Sequence, residues 1–305
     1  MRCRCGRKAI YYRRQSGQYL CGICFSKSIE SKFRSTIRKY ALVSRGDNIV
    51  IGLSGGKDST VLLYLLHNLQ KRRPFTVEAL IIDEGIAGYR DKTIKVAEKT
   101  CQLLGIDYHI FSFAEEFGIT LDDIEPDVSH CSYCGVFRRY LLNKKSRELT
   151  FEKLAVGLNL DDEVQSILMN LLRGDLFRFG RTGPYYRKKS KFVPRIKPLR
   201  EISEKEIMLY AVVNHIEVDH SVCPYASEAF RGDIRTFLDE MESKRPTTKY
   251  ALLRSYDRLF PYLQEQLTYD VSLCEQCGEP SIDTLCKTCT MLEKISVKRE
   301  HSTNK

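Results

Sequence analysis

The chain has 305 residues, a formal net charge of +10 and 43% hydrophobic residues. No apolar run approaches the roughly 18 residues of a membrane span, and the N-terminus lacks the apolar segment of a secretory signal. These features exclude a membrane-spanning or secreted class and predict a cytoplasmic protein without a membrane partner. The positive charge favours a polyanionic partner such as nucleic acid.

The N-terminal segment 1–28 is predicted to be a small zinc-binding knuckle. Thiols stay reduced in the cytoplasm, so grouped cysteines indicate metal ligands rather than disulfides. Four thiolates complete the tetrahedral shell of a structural zinc ion. The proposed ligands are Cys3, Cys5, Cys21 and Cys24. A basic helix at 29–44, within a linker 29–46, is predicted to join this knuckle to the main domain.

The string SGGKDS at 54–59 follows an apolar run at 49–53 and precedes another at 60–66. This order predicts a buried strand, a loop and a helix. Two glycines let backbone N–H groups approach an anion closely, and the helix N-terminus adds partial positive charge. Lys57 adds a full charge, while Ser54 and Ser59 add hydroxyl donors. The string is too short for a Walker loop, but it predicts a phosphate-binding site.

The main domain, predicted at 47–245, continues as alternating strands and helices. Further strands are predicted at 77–82, 108–111 and 154–157, with helices at 91–104 and 161–172. This alternation is typical of an α/β fold with a parallel sheet covered on both faces. Ligands of such sheets bind at the carboxyl ends of the strands. The 54–59 loop, Asp83 and the 157–161 loop should therefore lie close together.

Three cysteines within the main domain form a separate group. Cys131 and Cys134 make a C-x2-C pair, and Cys223 is their predicted partner. Three thiolates suit an iron–sulfur cluster that has one iron open to an exogenous ligand. Two alternatives remain open, namely redox-active thiols that carry persulfide sulfur and a closed zinc site with His130. Cys101, at a helical spacing among apolar residues, is predicted to be a buried core thiol.

The segment 173–200 is strongly basic, with ten Lys or Arg residues and a single acidic residue. Five aromatic residues are interleaved with these charges. Basic groups neutralise phosphates while aromatic rings stack on unpaired bases, so the segment predicts RNA contact. The alternative is a solvated loop whose aromatic side chains pack into the core.

The C-terminal part is predicted to be helical and to end in a second zinc module. Ser203 and Glu206 form a capping-box sequence at the start of one helix, and further helices are predicted at 234–241 and 251–267. A helical linker, 246–271, precedes a zinc ribbon at 272–292. The ribbon ligands would be Cys274, Cys277, Cys286 and Cys289. The polar tail at 293–305 is predicted to be disordered after Lys294.

Seven strings together resemble the NcsA and TtuA family of tRNA 2-thiouridine synthetases, within the PP-loop ATP pyrophosphatase superfamily. They are SGGKDS at 54–59, DEGIAGYRD at 83–91, CSYCGVFRRY at 131–140, GLNLDDE at 157–163, NLLRGD at 170–175, PRIKPLRE at 194–201 and CPYA at 223–226. The resemblance spans nearly the whole chain. It implies a parallel-sheet PP-loop domain, similar to adenine nucleotide alpha hydrolases, flanked by N- and C-terminal zinc modules.

The resemblance also implies a homodimer that binds tRNA, ATP with magnesium and a [4Fe-4S] cluster. The cluster ligands would be Cys131, Cys134 and Cys223. ATP would be bound by Ser54, Gly55, Gly56, Lys57, Asp58 and Ser59, with Asp83 and Gly157 lining the pocket. Asp161 would lie near the reacting phosphate, and either Asp58 or Asp161 would hold magnesium. Arg138 or Arg139 is a candidate for orienting a phosphate, with a helix-surface salt bridge as the alternative.

Three positions depart from the family pattern. Leu158 stands where many relatives have His, Cys3 and Cys5 are closer than the usual first pair, and Arg138 stands where the TtuA branch has Lys. The strings GVFRR and DEGIAGYRD are more similar to the branch that modifies the wobble uridine than to the branch that modifies the T-loop uridine. The expected reaction is adenylation of C2 of a tRNA uridine and replacement of its oxygen by sulfur.

Other functions remain open. The chain could thiolate the T-loop uridine, act as a PP-loop tRNA lysidine synthetase, or be a non-enzymatic RNA-binding zinc protein. Lysidine synthesis does not need the three middle cysteines, and a binding protein does not need SGGKDS. The sulfur donor could be free sulfide or the thiocarboxylate of a ubiquitin-like carrier.

Overall fold

The computed structural model describes residues 1–124, 129–180, 183, 192–226, 229–266 and 271–303. In chain order the elements are β1 (Tyr11–Arg13), β2 (Gln18–Leu20), α1 (Gly22–Lys39), β3 (Asn48–Gly52), α2 (Lys57–Gln70), β4 (Thr76–Asp83), α3 (Arg90–Leu104), β5 (Tyr108–Ser112), α4 (Phe113–Phe117), α5 (His130–Glu148), β6 (Lys153–Ala155), α6 (Leu160–Leu172), α7 (Leu176–Phe179), β7 (Arg195–Ile196), α8 (Glu204–Val213), α9 (Ala229–Lys244), α10 (Thr248–Gln266), β8 (Ser272–Leu273), β9 (Pro280–Ser281) and α11 (Lys287–Thr303). No helix in these ranges is long and apolar enough to cross a membrane.

A five-stranded parallel sheet, in the order β5-β4-β3-β6-β7, forms the centre of the main domain. β3 is central, and its side chains alternate between two cores. Ile49 and Ile51 pack with α2 and α8, whereas Val50 packs with α5. Burial on both faces explains why this strand is an uninterrupted apolar run. The predicted α/β class and parallel sheet are thereby confirmed.

A third apolar cluster joins α6 to α9 and α10, through residues such as Val164, Leu238 and Tyr256. The N-terminal β1–β2 hairpin and α1 pack on the main domain beside α8, where Gly22 lies against Val213. At the other end of the chain, α11 packs on α5 through Met291 and Leu292. Both cysteine-rich ends therefore contact the PP-loop-type core directly.

Three local predictions differ from the structure. α1 begins at Gly22, inside the segment assigned to the knuckle. The tail after Lys294, predicted to be disordered, continues α11 to Thr303. The Ser203 side chain accepts the N–H of Glu206, but the return bond is not formed. The reason is that the Glu206 carboxylate pairs with Arg13 and Lys32 instead.

A buried ion network ties α6 to the chain around β7 and to α10. Glu163, 1% exposed, accepts Lys197 Nζ at 2.7 Å and Arg200 Nε at 3.1 Å. Arg200, fully buried, also donates to Asp257 at 2.9 Å. Lys197 and Arg200 were counted among the basic residues predicted to contact RNA, and their burial excludes them from that role.

Glu163→Gln should lower the free energy of unfolding by about 3 kcal/mol, because two buried cations lose their carboxylate partner. Glu217→Gln is the matched control, since Glu217 pairs with Lys99 at the surface with both side chains more than half exposed. Its effect should stay within about 0.5 kcal/mol. Urea unfolding followed by circular dichroism measures both values, and equal losses would contradict the structural role given to Glu163.

Candidate functional site

The SGGKDS loop turns from β3 into α2 and is closed by its two serines. The Ser54 N–H donates to Ser59 Oγ at 3.1 Å, and the two hydroxyl oxygens lie 3.0 Å apart. The Thr60 N–H donates to the Gly56 carbonyl at 3.1 Å, which is the first hydrogen bond of α2. The N–H groups of the residues just before Thr60 therefore have no partner within the helix. Such a terminus, next to a glycine pair, is suited to an anion.

Lys57 is held beside this loop by two carboxylates. Its Nζ lies 3.0 Å from Asp58 Oδ2 and 2.8 Å from Glu204 Oε1. Burial alone would lower the pKa of Lys57, but these neighbouring charges raise it above its usual value. Asp58 also accepts Asn159 Nδ2 at 3.0 Å. Lys57 is therefore a charged ammonium that a phosphate group could draw away from its carboxylate partners.

The loop after β6 reaches the same point, as the sequence predicted. A Cβ on Gly157 would lie 2.9 Å from Ser59 N, so only glycine allows this approach. Asp83, at the end of β4, accepts the N–H of Gly85 at 2.9 Å and shapes the next turn. The carboxyl ends of β3, β4 and β6 thus form one edge, with the predicted loops along it.

Asp161 was predicted to lie near the reacting phosphate, but both of its carboxylate oxygens already have partners within the protein. It is 8% exposed, and its Oδ2 accepts the N–H of Glu204 at 2.7 Å. Its Oδ1 pairs with Lys249 Nζ. For the adjacent Asp162, burial first, and then the charges of Asp58 and Glu204, raise the pKa of the carboxyl group to about 6. No sequence signal distinguished the two aspartates.

The three middle cysteines come together from two segments. Cys131 and Cys134 lie in the first turns of α5, and Cys223 lies in the loop that precedes α9. Cys131 Sγ donates to the Tyr225 carbonyl at 2.7 Å, which holds the Cys223 loop against the start of α5. All three thiols are partly accessible. Burial raises the pKa of Cys134 to about 11, so without a metal this thiol is neutral at pH 7.

The geometry argues against a closed zinc site here. In the described parts of the chain, ligand atoms gather within 4.8 Å of one another only in the two terminal four-cysteine groups. His130, the candidate fourth ligand, bonds to the Ile124 carbonyl at 3.0 Å and stacks on Tyr225 at 4.1 Å. Thiols that hold different irons of a cluster stand further apart than ligands of one ion. Three spaced, accessible thiols therefore fit a cluster better than one zinc ion.

The phosphate loop and the cysteine loop are adjacent. The Asp219 N–H donates to the Gly55 carbonyl at 3.3 Å, and Gly56 forms a parallel bridge with Asp219. Cys223 follows four residues later. An anion bound at 54–59 and a ligand bound by the cysteines would share one edge of the sheet.

A buried ion pair that the sequence did not reveal connects the phosphate loop to α5, the helix that carries Cys131 and Cys134. Glu84 and Arg90 are 3% and 4% exposed, and Glu84 Oε2 lies 2.5 Å from Arg90 Nε. Arg90 donates to the Ser54 carbonyl at 3.0 Å, while Glu84 Oε1 lies 3.5 Å from Arg138. Burial would lower the pKa of Arg138, but Glu84, and then Cys134, raise it. Arg138 can therefore form a salt bridge with Glu84 and also orient a phosphate, because Glu84 itself lies within the candidate site.

The two terminal four-cysteine groups match the predicted zinc sites. The ligand atoms of each group lie within 4.8 Å of one another. In the N-terminal group, the Cys5 and Cys21 sulfurs lie 3.5 Å apart. In the C-terminal group, the sulfurs of Cys277 and Cys286 lie 3.6 Å apart and those of Cys274 and Cys289 lie 3.8 Å apart. The short Cys3-x-Cys5 spacing is accommodated by a turn in which Cys3 N–H donates to the Arg7 carbonyl. Both donor sets fit a tetrahedral zinc ion.

The structure describes only part of the basic segment 173–200. Phe177 is exposed, whereas Phe179 is buried against Tyr256. Tyr185 and Tyr186 lie outside the described residues. The segment thus combines accessible groups with core groups, and RNA contact stays a prediction for its exposed residues.

Comparisons with known proteins support these observations. Residues 26–240 match the model of the PP-loop domain, and residues 2–26 match the 2-thiouridine synthetase TtuA N-terminal LIM domain. The tRNA 2-thiolation protein NcsA of Haloferax volcanii is 36% identical, over 96% of this chain and 98% of that protein. The tRNA-5-methyluridine(54) 2-sulfurtransferase of Pyrococcus horikoshii is 35% identical, over 95% and 93%.

Among solved structures, the chain is similar to the U34-tRNA thiolase NcsA from Methanococcus maripaludis, which was determined with its [4Fe-4S] cluster. The TM-score is 0.85 at 36% identity, and the match covers 97% of this chain and 96% of that chain. Relatives named for two different uridines thus have nearly the same identity to this chain.

Proposed function

This chain belongs to the PP-loop family of tRNA 2-thiolation proteins, and we propose that it replaces O2 of the tRNA wobble uridine with sulfur, using ATP. It is a tRNA 2-thiouridine synthetase, a sulfurtransferase. The observation that carries the proposal is the adjacency of the phosphate loop and the three cysteines, joined by the Asp219–Gly55 contact. Activation by ATP and delivery of sulfur can then occur at one bound base.

Activation begins at the phosphate loop. Uracil O2 attacks the α-phosphorus of ATP, the α–β anhydride bond breaks, and pyrophosphate leaves, so that O2 joins AMP. The helix N-terminus at Lys57 and the Lys57 ammonium stabilise the charge that develops on pyrophosphate. Lys57 would exchange its contacts with Asp58 and Glu204 for the phosphates. Asp58, once released, is better placed than the buried Asp161 to hold magnesium.

Sulfur then replaces the activated oxygen, and AMP leaves. Cys131, Cys134 and Cys223 would hold a [4Fe-4S] cluster, whose fourth iron, without a protein ligand, can carry sulfur. The proposed donor for this route is free sulfide or a ubiquitin-like thiocarboxylate carrier, both at the oxidation level of sulfide. The alternative is that Cys223 and one of the pair carry the sulfur covalently, which would need sulfane sulfur from a persulfide donor. The outer sulfur of the persulfide would displace AMP, and the second thiol would release the thiouridine by forming a disulfide. The accessible thiols lie beside Arg138, which Glu84 anchors.

The wobble position is supported by the GVFRR and DEGIAGYRD strings and by the similarity to a U34-tRNA thiolase. A homodimer in the cytoplasm is proposed from the same family resemblance. The unit boundaries 1–28, 29–46, 47–245, 246–271, 272–292 and 293–305 also remain proposals.

The test is thiolation of defined transcripts by anaerobically purified protein with ATP and sulfide. Three substrates suffice: an unmodified tRNA, the same tRNA with cytidine at the wobble position, and one with cytidine at the T-loop position. Retardation in a mercury-containing gel reports thiouridine, and AMP and pyrophosphate report activation. We expect loss of thiolation only with the wobble substitution. Loss only with the T-loop substitution would reassign the position, and release of AMP with lysine incorporation would indicate lysidine synthesis.

Glu84→Gln should slow thiolation by about tenfold or more, because Arg90 at the phosphate loop and Arg138 on α5 lose the carboxylate that fixes them. The single-turnover rate at saturating ATP is the quantity to measure. Glu78→Gln is a suitable control, since Glu78 lies on β4, the strand that Glu84 follows, with a partly exposed side chain paired to His109. A Glu84→Gln protein with wild-type rate and iron content would show that the network has no positioning role.

A further inference from the structure

We infer that Arg139 and Arg195 form a phosphate-binding site beside Cys134, and that it holds the RNA backbone next to the target uridine. The inference rests on the proposed function, because it assigns the substrate contact of that same site. Arg139 lies on α5 shortly after Cys134, and Arg195 opens β7. The sequence made Arg139 a candidate, together with Arg138, for orienting a phosphate, and it assigned no ligand to Arg195.

The Arg139 side chain folds back along α5 onto Gly135, one turn earlier. Its Nη1 lies 3.2 Å, and its Cζ 3.7 Å, from the position that a Cβ would take on Gly135. Gly135 is the residue that follows Cys134. The absence of a side chain at Gly135 thus lets the guanidinium group lie against the residue that follows Cys134, while the Arg139 side chain is exposed to solvent. A ligand entering from solvent can meet it there.

Positive charges cluster around this guanidinium without matching carboxylates. Val193, two residues before Arg195, donates its N–H to Asn143 Oδ1 at 2.9 Å, and Asn143 lies one turn after Arg139 on α5. Although Arg139 is exposed, partial desolvation of its guanidinium, and then the charges of Arg195, Arg138 and Arg178, lower its pKa to about 10. Arg138 has Glu84 as its partner, and Arg178 has Asp175. Within the described residues, Arg139 has no ion pair, and the buried Arg195 Nε has no hydrogen-bond partner.

The local sequence supplies no missing counter-charge. Residues 176–200, which include Arg195, contain no Asp or Glu. Like charges in a partly desolvated site repel one another, so an anion is needed to balance them. Arginine guanidinium groups bind phosphate through paired N–H donors. The unmatched cluster therefore points to a phosphate group as its ligand.

The position favours an RNA phosphodiester over the phosphates of ATP. The triphosphate has its own donors at the start of α2, which follows β3. β7 lies two strands from β3 in the sheet, roughly 10 Å away at the usual strand spacing. A uridine whose base reaches the cysteines carries its flanking phosphates at a comparable distance from the reacting oxygen. Arg139 and Arg195 are placed to receive one of them.

The experiment compares tRNA affinity across salt concentrations for wild type, Arg139→Gln and Arg195→Gln. Each variant should bind a tRNA transcript about fivefold more weakly. The slope of log K against log salt should fall by about 0.7 to 0.9 for each lost phosphate contact. Arg72→Gln is the charge-matched control, because Arg72 is exposed just beyond the end of α2, away from the site. Its slope should equal that of wild type.

Three further readouts separate the possible outcomes. ATP affinity and iron content should stay at wild-type values, and the melting temperature should not fall, since the change relieves repulsion. Weaker ATP binding with an unchanged salt slope would assign the arginines to ATP and overturn the inference. The Arg139→Gln protein should fold, because Arg139 is exposed. Wild-type tRNA affinity in this variant would also overturn the inference. Failure of the wild-type protein to thiolate any transcript would instead contradict the proposed function.

Discussion

Cys223→Ala should remove iron from the protein and abolish thiolation, while leaving tRNA binding and both zinc ions in place. Cys223 is one of three thiols at the site, and two remaining thiols cannot hold three irons of a cluster. Its loop is tied to α5 by the Cys131–Tyr225 bond, which involves Tyr225 main chain rather than the Cys223 side chain. The variant should therefore fold and keep the surrounding backbone. Anaerobic iron, sulfide and zinc analysis with visible spectroscopy measures the first effect, and the mercury gel measures the second.

Cys101→Ala is the matched control for this change. Cys101 is fully buried on α3, and burial raises the pKa of its thiol to about 12, so it is a core side chain. Removing it should cost stability but retain iron and thiolation. A colourless wild-type protein that thiolates and loses activity with Cys223→Ala would favour the persulfide alternative. Full thiolation by Cys223→Ala would contradict the cluster and persulfide schemes alike.

The sequence was most informative where chemistry is local. SGGKDS lies between a strand and a helix. The strand is apolar and buried, so groups that bind an anion must follow it, at the accessible end of the strand. The residues of that loop therefore identify both the fold element and the ligand. The same is true of the paired cysteines, whose spacing alone places two thiols on one turn. The strand positions followed from burial on both faces of the sheet.

Long-range pairing could not be predicted in this way. Asp161 is separated by 88 positions from Lys249, the cation that neutralises it. Lys197 and Arg200 were counted as accessible charges because a basic run gives no sign that Glu163 lies underneath it. Glu84 and Arg90 belong to a recognised string, yet only the structure shows that they are buried together against the phosphate loop. Such contacts depend on the topology of the whole sheet.

Gly55→Ala should reduce ATP-dependent thiolation by at least about 100-fold, because a small displacement of the phosphate loop moves every donor in it. Gly55 has a φ of +81°, and a Cβ there would lie 2.0 Å from the Thr93 carbonyl oxygen in α3. That contact is impossible, so either the loop or the first turn of α3 must shift. Arg90, which holds the Ser54 carbonyl and also bonds to Thr93, would shift with it.

Gly105→Ala separates this clash from the conformational effect of replacing a glycine. Gly105 ends α3 with a φ of +64°, and a Cβ there has no atom within 4 Å. It should lose about 1 kcal/mol of stability from left-handed strain, with normal thiolation. ATP affinity, thiolation rate and urea unfolding of the two variants give the comparison. If Gly55→Ala bound ATP and thiolated as well as Gly105→Ala, close packing of the loop on α3 would not be what positions the nucleotide. If only Gly55→Ala fails, that packing places the ATP phosphates.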